Sequence, residues 1–191
     1  MKSYRLVAGV GNYELGTACV MSAAVAKFRL SLGEPLGSAC DTLECACPFV
    51  SELLIRFNDS LLFKTDEQRT EVLTPFIDKI IGSRNNDLLD KRIDIYLLWL
   101  AKKTFESKKI DFVFPDTLTP NLARELYLKV ISHPKVYSSC ALTKLSVCLG
   151  VYPEHSENLM KLLLTGNDFN RFTAITDTED VCSLLNRMLD D

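Results

Sequence analysis

Apolar residues recur at spacings of three and four along nearly the whole chain, and strand-like alternation is almost absent. A chain patterned this way has to bury helical stripes against one another, which predicts an all-α fold. Residues 1–13 are the exception and read as a short strand or an extended N-terminal arm. A first helix is expected from about Leu15 to Leu32, stopped by Gly33. Cys47-Pro48 opens a second, with proline tolerated in the first turn. Its apolar face carries Phe49, Val50, Leu53, Leu54, Phe57 and Leu61. Thr65 followed by Gln68 is a capping box for a third helix reaching Gly82, with Pro75 predicting a kink or a split into two. Asn85 or Asn86 caps a fourth, about Asp87 to Phe105. Thr119-Pro120, His133-Pro134 and Tyr152-Pro153 each read as a proline-led helix start, and Asp177 with Asp180 opens the last. About seven or eight helices joined by short connections predict a compact antiparallel assembly.

The 191 residues are 47% hydrophobic with only 8 glycines and 7 prolines, so material for a core is ample and a turn-rich β design is excluded. Residues 1–191 read as a single helical domain; if there are two subdomains, the boundary falls near 107–118. A net charge of −3 supplies no field that would draw the chain onto nucleic acid or an anionic membrane. The only basic cluster, Lys102, Lys103, Lys108 and Lys109, reads as a solvated helix end. No apolar run reaches the roughly 18 residues that a membrane-spanning helix needs. The apolar stretch Leu6–Val10 behind Lys2 and Arg5 is too short for a signal core, so a cytoplasmic location is expected.

The seven cysteines are an odd number, which fits reduced thiols better than a disulfide framework. Cys19, Cys40, Cys45 and Cys47 crowd into one stretch and are the candidate metal ligands, with zinc as the metal thiolates favour. The C-x4-C-x-C spacing lacks the usual C-x2-C pair, so buried, inert thiols are the reading carried forward. Cys47 at a helix start is also a candidate nucleophile, for which only His133 and His155 are available as bases.

No G-x-S-x-G, Walker A, H-E-x-x-H or EF-hand pattern occurs. Gly9-Val10-Gly11 looks superficially like a nucleotide loop but lacks a third glycine and an opening helix in register.

An ordered set of short motifs runs through residues 17–100. Cys19-Val20-Met21-Ser22-Ala23-Ala24 comes first, then Gly33-Glu34-Pro35 and Cys45-Ala46-Cys47-Pro48. Asn58-Asp59, Arg69, Leu73-Thr74-Pro75, Gly82-Ser83-Arg84, Lys91-Arg92 and Trp99 follow. In that order they resemble an uncharacterised family of bacterial and phage proteins, which typically carries Thr where Ser83 stands and Asp where Ser38 or Ala39 stands. The resemblance directs attention to Glu34, Asn58, Asp59, Arg69, Arg84 and Arg92. They form either a buried network, Asp59 with Arg69 or Arg84, or an anion or nucleotide pocket lined by Arg69, Arg84 and Arg92.

With no catalytic signature, balanced charge and a large helical surface, the chain reads as a non-enzymatic binding module for a protein partner, with phage–host conflict as a setting. The alternatives are a zinc or thiol site at the cysteines and an arginine-based nucleotide or anion site.

Overall fold

The computed structural model describes residues 4–136, 139–152, 163 and 176–190. Among them, seven α-helices and one two-stranded sheet account for the regular structure, and the fold is all-α. The chain divides into two compact units, residues 1–86 with 177–191, and residues 87–176. The 107–118 interval lies inside the second unit rather than at a boundary.

In the first unit the N-terminal arm is a strand. β1 (Arg5–Leu6) pairs in parallel with β2 (Thr17–Ala18), Arg5 opposite Thr17 and Leu6 opposite Ala18. A parallel pair normally needs a long crossover. Here the chain turns back within residues 7–16, with Gly9, Gly11 and Gly16 all at positive φ. The first helix therefore starts later than Leu15: α1 spans Val20–Ser31, with Cys19 as its N-cap. Apolar spacing alone could not separate Thr17–Ala18 from the helix, because the pairing partner lies far back in the sequence. Residues 20–26 are buried, with Ala23, Ala24 and Ala26 letting neighbours approach closely.

α2 spans Pro48–Asp59, capped at Cys47 with proline in its first turn. It ends before Leu61, so Leu61 leaves the apolar face to which its spacing assigned it and is 82% exposed. α3 (Asp66–Ile80) has Thr65 as N-cap, its hydroxyl accepting from the Gln68 N–H at 3.2 Å. The Gln68 side chain accepts from Lys64 N instead of closing the reciprocal arm of the box. α3 runs through Pro75 as one helix, so of the expected kink or split the split does not occur. Leu73, Phe76 and Ile80 are buried around the proline, and that packing offsets the lost backbone bond. α3 touches β1, α1, α2 and the C-terminal helix, and so forms the spine of this unit.

Asn86 starts a 3-10 turn, Asn86–Leu88, and in the second unit α4 (Leu89–Lys108) follows without a side-chain cap. α4 ends in a left-handed Lys109, φ 55°. α5 (Pro120–Ile131) has Thr119 as its cap, as its sequence predicts. α6 spans Cys140–Gly150, so among the described residues His133-Pro134 opens no α-helix. Residues 133–136 instead form a turn closed by the Val136 N–H on the His133 carbonyl and anchored by buried Val136. The helix expected at Tyr152-Pro153 lies outside the described residues. α6 packs on both α4 and α5.

The C-terminal helix α7 (Thr178–Leu189) belongs to the first unit. Asp177 and Asp180 form a complete capping box, and buried Val181, Leu184, Leu185 and Met188 form its inner face. Lys79 on α3 reaches Asn186 and Asp190 at 2.7 and 2.6 Å. Among the described residues no helix is long and apolar enough to cross a membrane.

Candidate functional site

The polar residues of the first unit gather at three places. The first is the start of α1. Cys19 is buried, and its sulfur accepts from Ser22 N–H at 3.2 Å, a thiol acting as helix N-cap. The thiol lies 2.8 Å from Oδ1 of Asp41, the same oxygen that accepts from the Ser22 hydroxyl at 2.7 Å. Tyr13 donates its hydroxyl to the Ser22 carbonyl at 2.7 Å and packs against Tyr4 with the rings tilted, centres 5.3 Å apart. Burial first, and then the Asp41 carboxylate, push the Cys19 thiol up to about 11. At neutral pH it is therefore a protonated donor and not an activated nucleophile.

The second place joins the N-terminal segment to the end of α2. The fully buried Asn58 accepts from Val20 N–H at 3.3 Å and donates to the Val7 carbonyl and to Asp59 Oδ1, both at 2.8 Å. That Asp59 oxygen also accepts from Gly9 N–H at 2.8 Å. Arg69, buried on α3, donates Nε to the Asn58 carbonyl at 2.7 Å, pairs with Asp66, and lies 5.6 Å from the Phe63 ring centre. Asn58 thus serves three segments at once, which is why a buried amide is tolerated there.

The third is the cysteine loop. Ser83 Oγ accepts from Cys47 N–H at 2.9 Å, Arg84 N–H donates to the Cys45 carbonyl at 2.9 Å, and the Arg84 guanidinium donates to the Glu44 carbonyl at 3.1 Å. The Gly82-Ser83-Arg84 motif therefore holds the backbone of Cys45-Ala46-Cys47.

These contacts revise the expected grouping. Asp59 bonds to Gly9 and Asn58, while Arg69 bonds to Asn58 and Asp66 and Arg84 to the cysteine loop, so neither expected Asp59–arginine pair forms, and most of the contacts made instead go to backbone. Arg92 is buried on α4 in the second unit. Glu34 is exposed and held through its backbone N–H on the Arg29 carbonyl at 2.9 Å. Among the described residues no three His, Cys, Asp or Glu side chains form a metal-binding group, Cys19, Cys40, Cys45 and Cys47 included. Cys40 and Cys45 are half-buried and Cys47 is buried. His133 accepts from Lys135 N–H on Nδ1, and His155 lies outside the described residues.

Asp41, Ser22 and Tyr13 were not legible as partners of Cys19, since nothing in local spacing links residues 13, 19 and 41. The two exposed apolar residues of the β1–β2 connection, Val10 and Leu15, were equally hidden. No protein-family model, no curated protein and no solved structure matches the chain.

Proposed function

We propose that this chain is a non-enzymatic helical binding module that engages a protein partner through exposed apolar residues of its first unit, Val10, Leu15 and Leu61. One observation carries the reading: Leu15, Leu61 and Val10 are 78%, 82% and 49% exposed on a backbone that is already fixed. Val10 follows Gly9, whose N–H is bonded to Asp59, and Leu61 lies two residues beyond Asp59, so both flank one hydrogen bond. Leu15 belongs to the same 7–16 connection, tied by Leu15 N–H to the Asn12 carbonyl at 3.1 Å and by Cys19 N–H to the Val10 carbonyl at 3.2 Å. Apolar side chains on a pre-ordered backbone lose little entropy on docking, which favours a binding role.

The reading assigns the module to the cytosol, where its thiols stay reduced, and takes phage–host conflict as its setting from the family resemblance. A zinc or thiol function for Cys19, Cys40, Cys45 and Cys47 has less support, because the Cys19 thiol is engaged by Asp41 and Ser22. A nucleotide or anion site has less support too, because Arg69 is turned inward onto Asn58 and Asp66.

The test is capture from host lysate by the immobilised chain and by its V10S/L15S/L61S variant. A protein retained by the first and lost with the second, at unchanged thermal stability, is the expected result. Equal retention by both, or none above an empty matrix, removes the proposal.

A further inference from the structure

The segment that follows α4 has a property no helical reading anticipates. From Ile110 to Phe114 burial alternates, with Ile110, Phe112 and Phe114 half-buried and Asp111 and Val113 exposed, Val113 at 91%. That is the period of a β-strand with one face on the protein. The inward face is anchored by three edge-to-face aromatic pairs, Phe105–Phe112, Phe105–Phe114 and Phe112–Phe114, with centres 5.7, 5.4 and 4.9 Å apart. Lys129 holds it further, 5.3 Å from the Phe112 ring centre and 3.3 Å from the Asp111 carbonyl. Yet the segment belongs to no sheet among the described residues. Its first N–H, on Ile110, bonds the Phe105 carbonyl. The N–H groups of Asp111 and Val113 and the Val113 carbonyl have no protein partner among the described residues.

An extended segment with unpaired backbone groups along one edge is a template for pairing with another chain. We propose that residues 110–114 are the pairing edge of a homodimer, in which two copies add to each other as antiparallel strands about Phe112. Residues 111 and 113 point their backbone groups to the same edge, so Asp111 of each copy exchanges both backbone hydrogen bonds with Val113 of the other. The Asp111 carbonyl has a second lone pair for this beside Lys129.

Charge and proline select both the occupant and the register. Centring on Asp111 would set two carboxylates opposite each other, and centring on Val113 would bring Pro115, which has no N–H, into the ladder. Centring on Phe112 avoids both. It also carries Lys108, the last residue of α4, towards Asp116 of the second copy, and Asp116 towards Lys108. The basic entrance and acidic exit of this segment thus complement a reversed copy of itself.

The experiment is sedimentation equilibrium of the full chain over a wide concentration range, with residue-resolved amide exchange at both ends of it. A monomer–dimer equilibrium is expected, with the amides of Asp111 and Val113 fast-exchanging when dilute and protected when concentrated. Val113→Pro, which removes one donor at an exposed position, should weaken the dimer by about tenfold or more. Lys108→Glu should weaken it as well, and K108E/D116K should restore it, which keeps the idea testable if the proline variant does not fold. A chain that stays monomeric throughout overturns the proposal. So does a dimer whose 111 and 113 amides exchange at the monomer rate. Protection that appears only when an extended peptide of another protein is added also overturns it, in favour of that occupant.

Discussion

The Cys19 thiol and the Asp41 carboxylate meet across 2.8 Å and join the N-cap of α1 to the irregular chain that precedes α2. Burial and the carboxylate together keep the proton on sulfur, so the folded state holds it more tightly than the unfolded chain, whose thiol titrates near 9. A raised pKa gives stability that is complete below the unfolded value and is lost as pH climbs through the folded one. Cys148, buried in α6, is also raised to about 11, with burial as the leading cause. The unfolding midpoint in urea should therefore hold steady up to about pH 9 and decline towards about pH 11. Cys19→Ala should flatten part of that decline. A midpoint independent of alkaline pH would contradict the assignment.

Thiol accessibility offers a second check at neutral pH. Cys40, Cys45 and Cys182 are half-buried, whereas Cys19, Cys47 and Cys148 are buried. Titration of the native chain with an aromatic disulfide reagent should label Cys40, Cys45 and Cys182 early. The three buried thiols should react only at the rate of unfolding. Mass mapping of the labelled peptides would show the order, and early labelling of Cys19 would be the contrary result.

Asn58→Ala should be the most damaging of the polar substitutions. It strips partners from Val20 N–H and the Val7 carbonyl, both inside the unit, and releases Asp59 as the anchor of Gly9. Leaving a buried and a half-buried backbone group unsatisfied should cost about 2 to 3 kcal/mol, read from urea unfolding. Asn58→Asp should fare no better, because the amide's donor to the Val7 carbonyl is lost.

Ser83 is a smaller case with a sharper control. Its hydroxyl accepts from Cys47 N–H, so Ser83→Ala should cost about 1 kcal/mol and speed amide exchange at Cys47. Ser83→Thr keeps the acceptor and should leave both unchanged.

The caps were the most legible part of this fold, because a cap is written in adjacent residues. Thr65 with Gln68, Thr119-Pro120, Cys47-Pro48 and Asp177 with Asp180 all start helices where their local chemistry says they should. His133-Pro134 shows the limit: proline is compatible with a helix start but equally with the turn that buried Val136 closes. Leu15 and Leu61 show another, since apolar spacing continues past the residue where the backbone leaves the helix. The site was legible only as a set of polar residues. That Asn58, Asp59 and Arg69 mainly tie backbone segments together depends on contacts spanning up to about fifty residues, which no local pattern encodes.

The pair Gly9 and Gly11, which in sequence resembles a fragment of a nucleotide loop, separates conformational need from steric need. Both have positive φ, 73° and 76°. A Cβ on Gly9 would meet nothing within 4 Å, whereas one on Gly11 would lie 2.5 Å from the Ala18 Cα and 2.7 Å from its nitrogen, both rigid backbone of β2. Gly9→Ala should therefore cost only the left-handed penalty, about 1 kcal/mol. Gly11→Ala adds a clash with backbone that forces either the 7–16 connection or β2 to shift, and should cost about 3 kcal/mol or more. It should also loosen Val10, whose carbonyl holds the Cys19 N–H. Paired urea titrations of the two variants give the difference directly. If Val10, Leu15 and Leu61 engage the partner, G11A should lose partner capture while G9A retains it, because only the first disturbs the backbone that presents Val10 and Leu15.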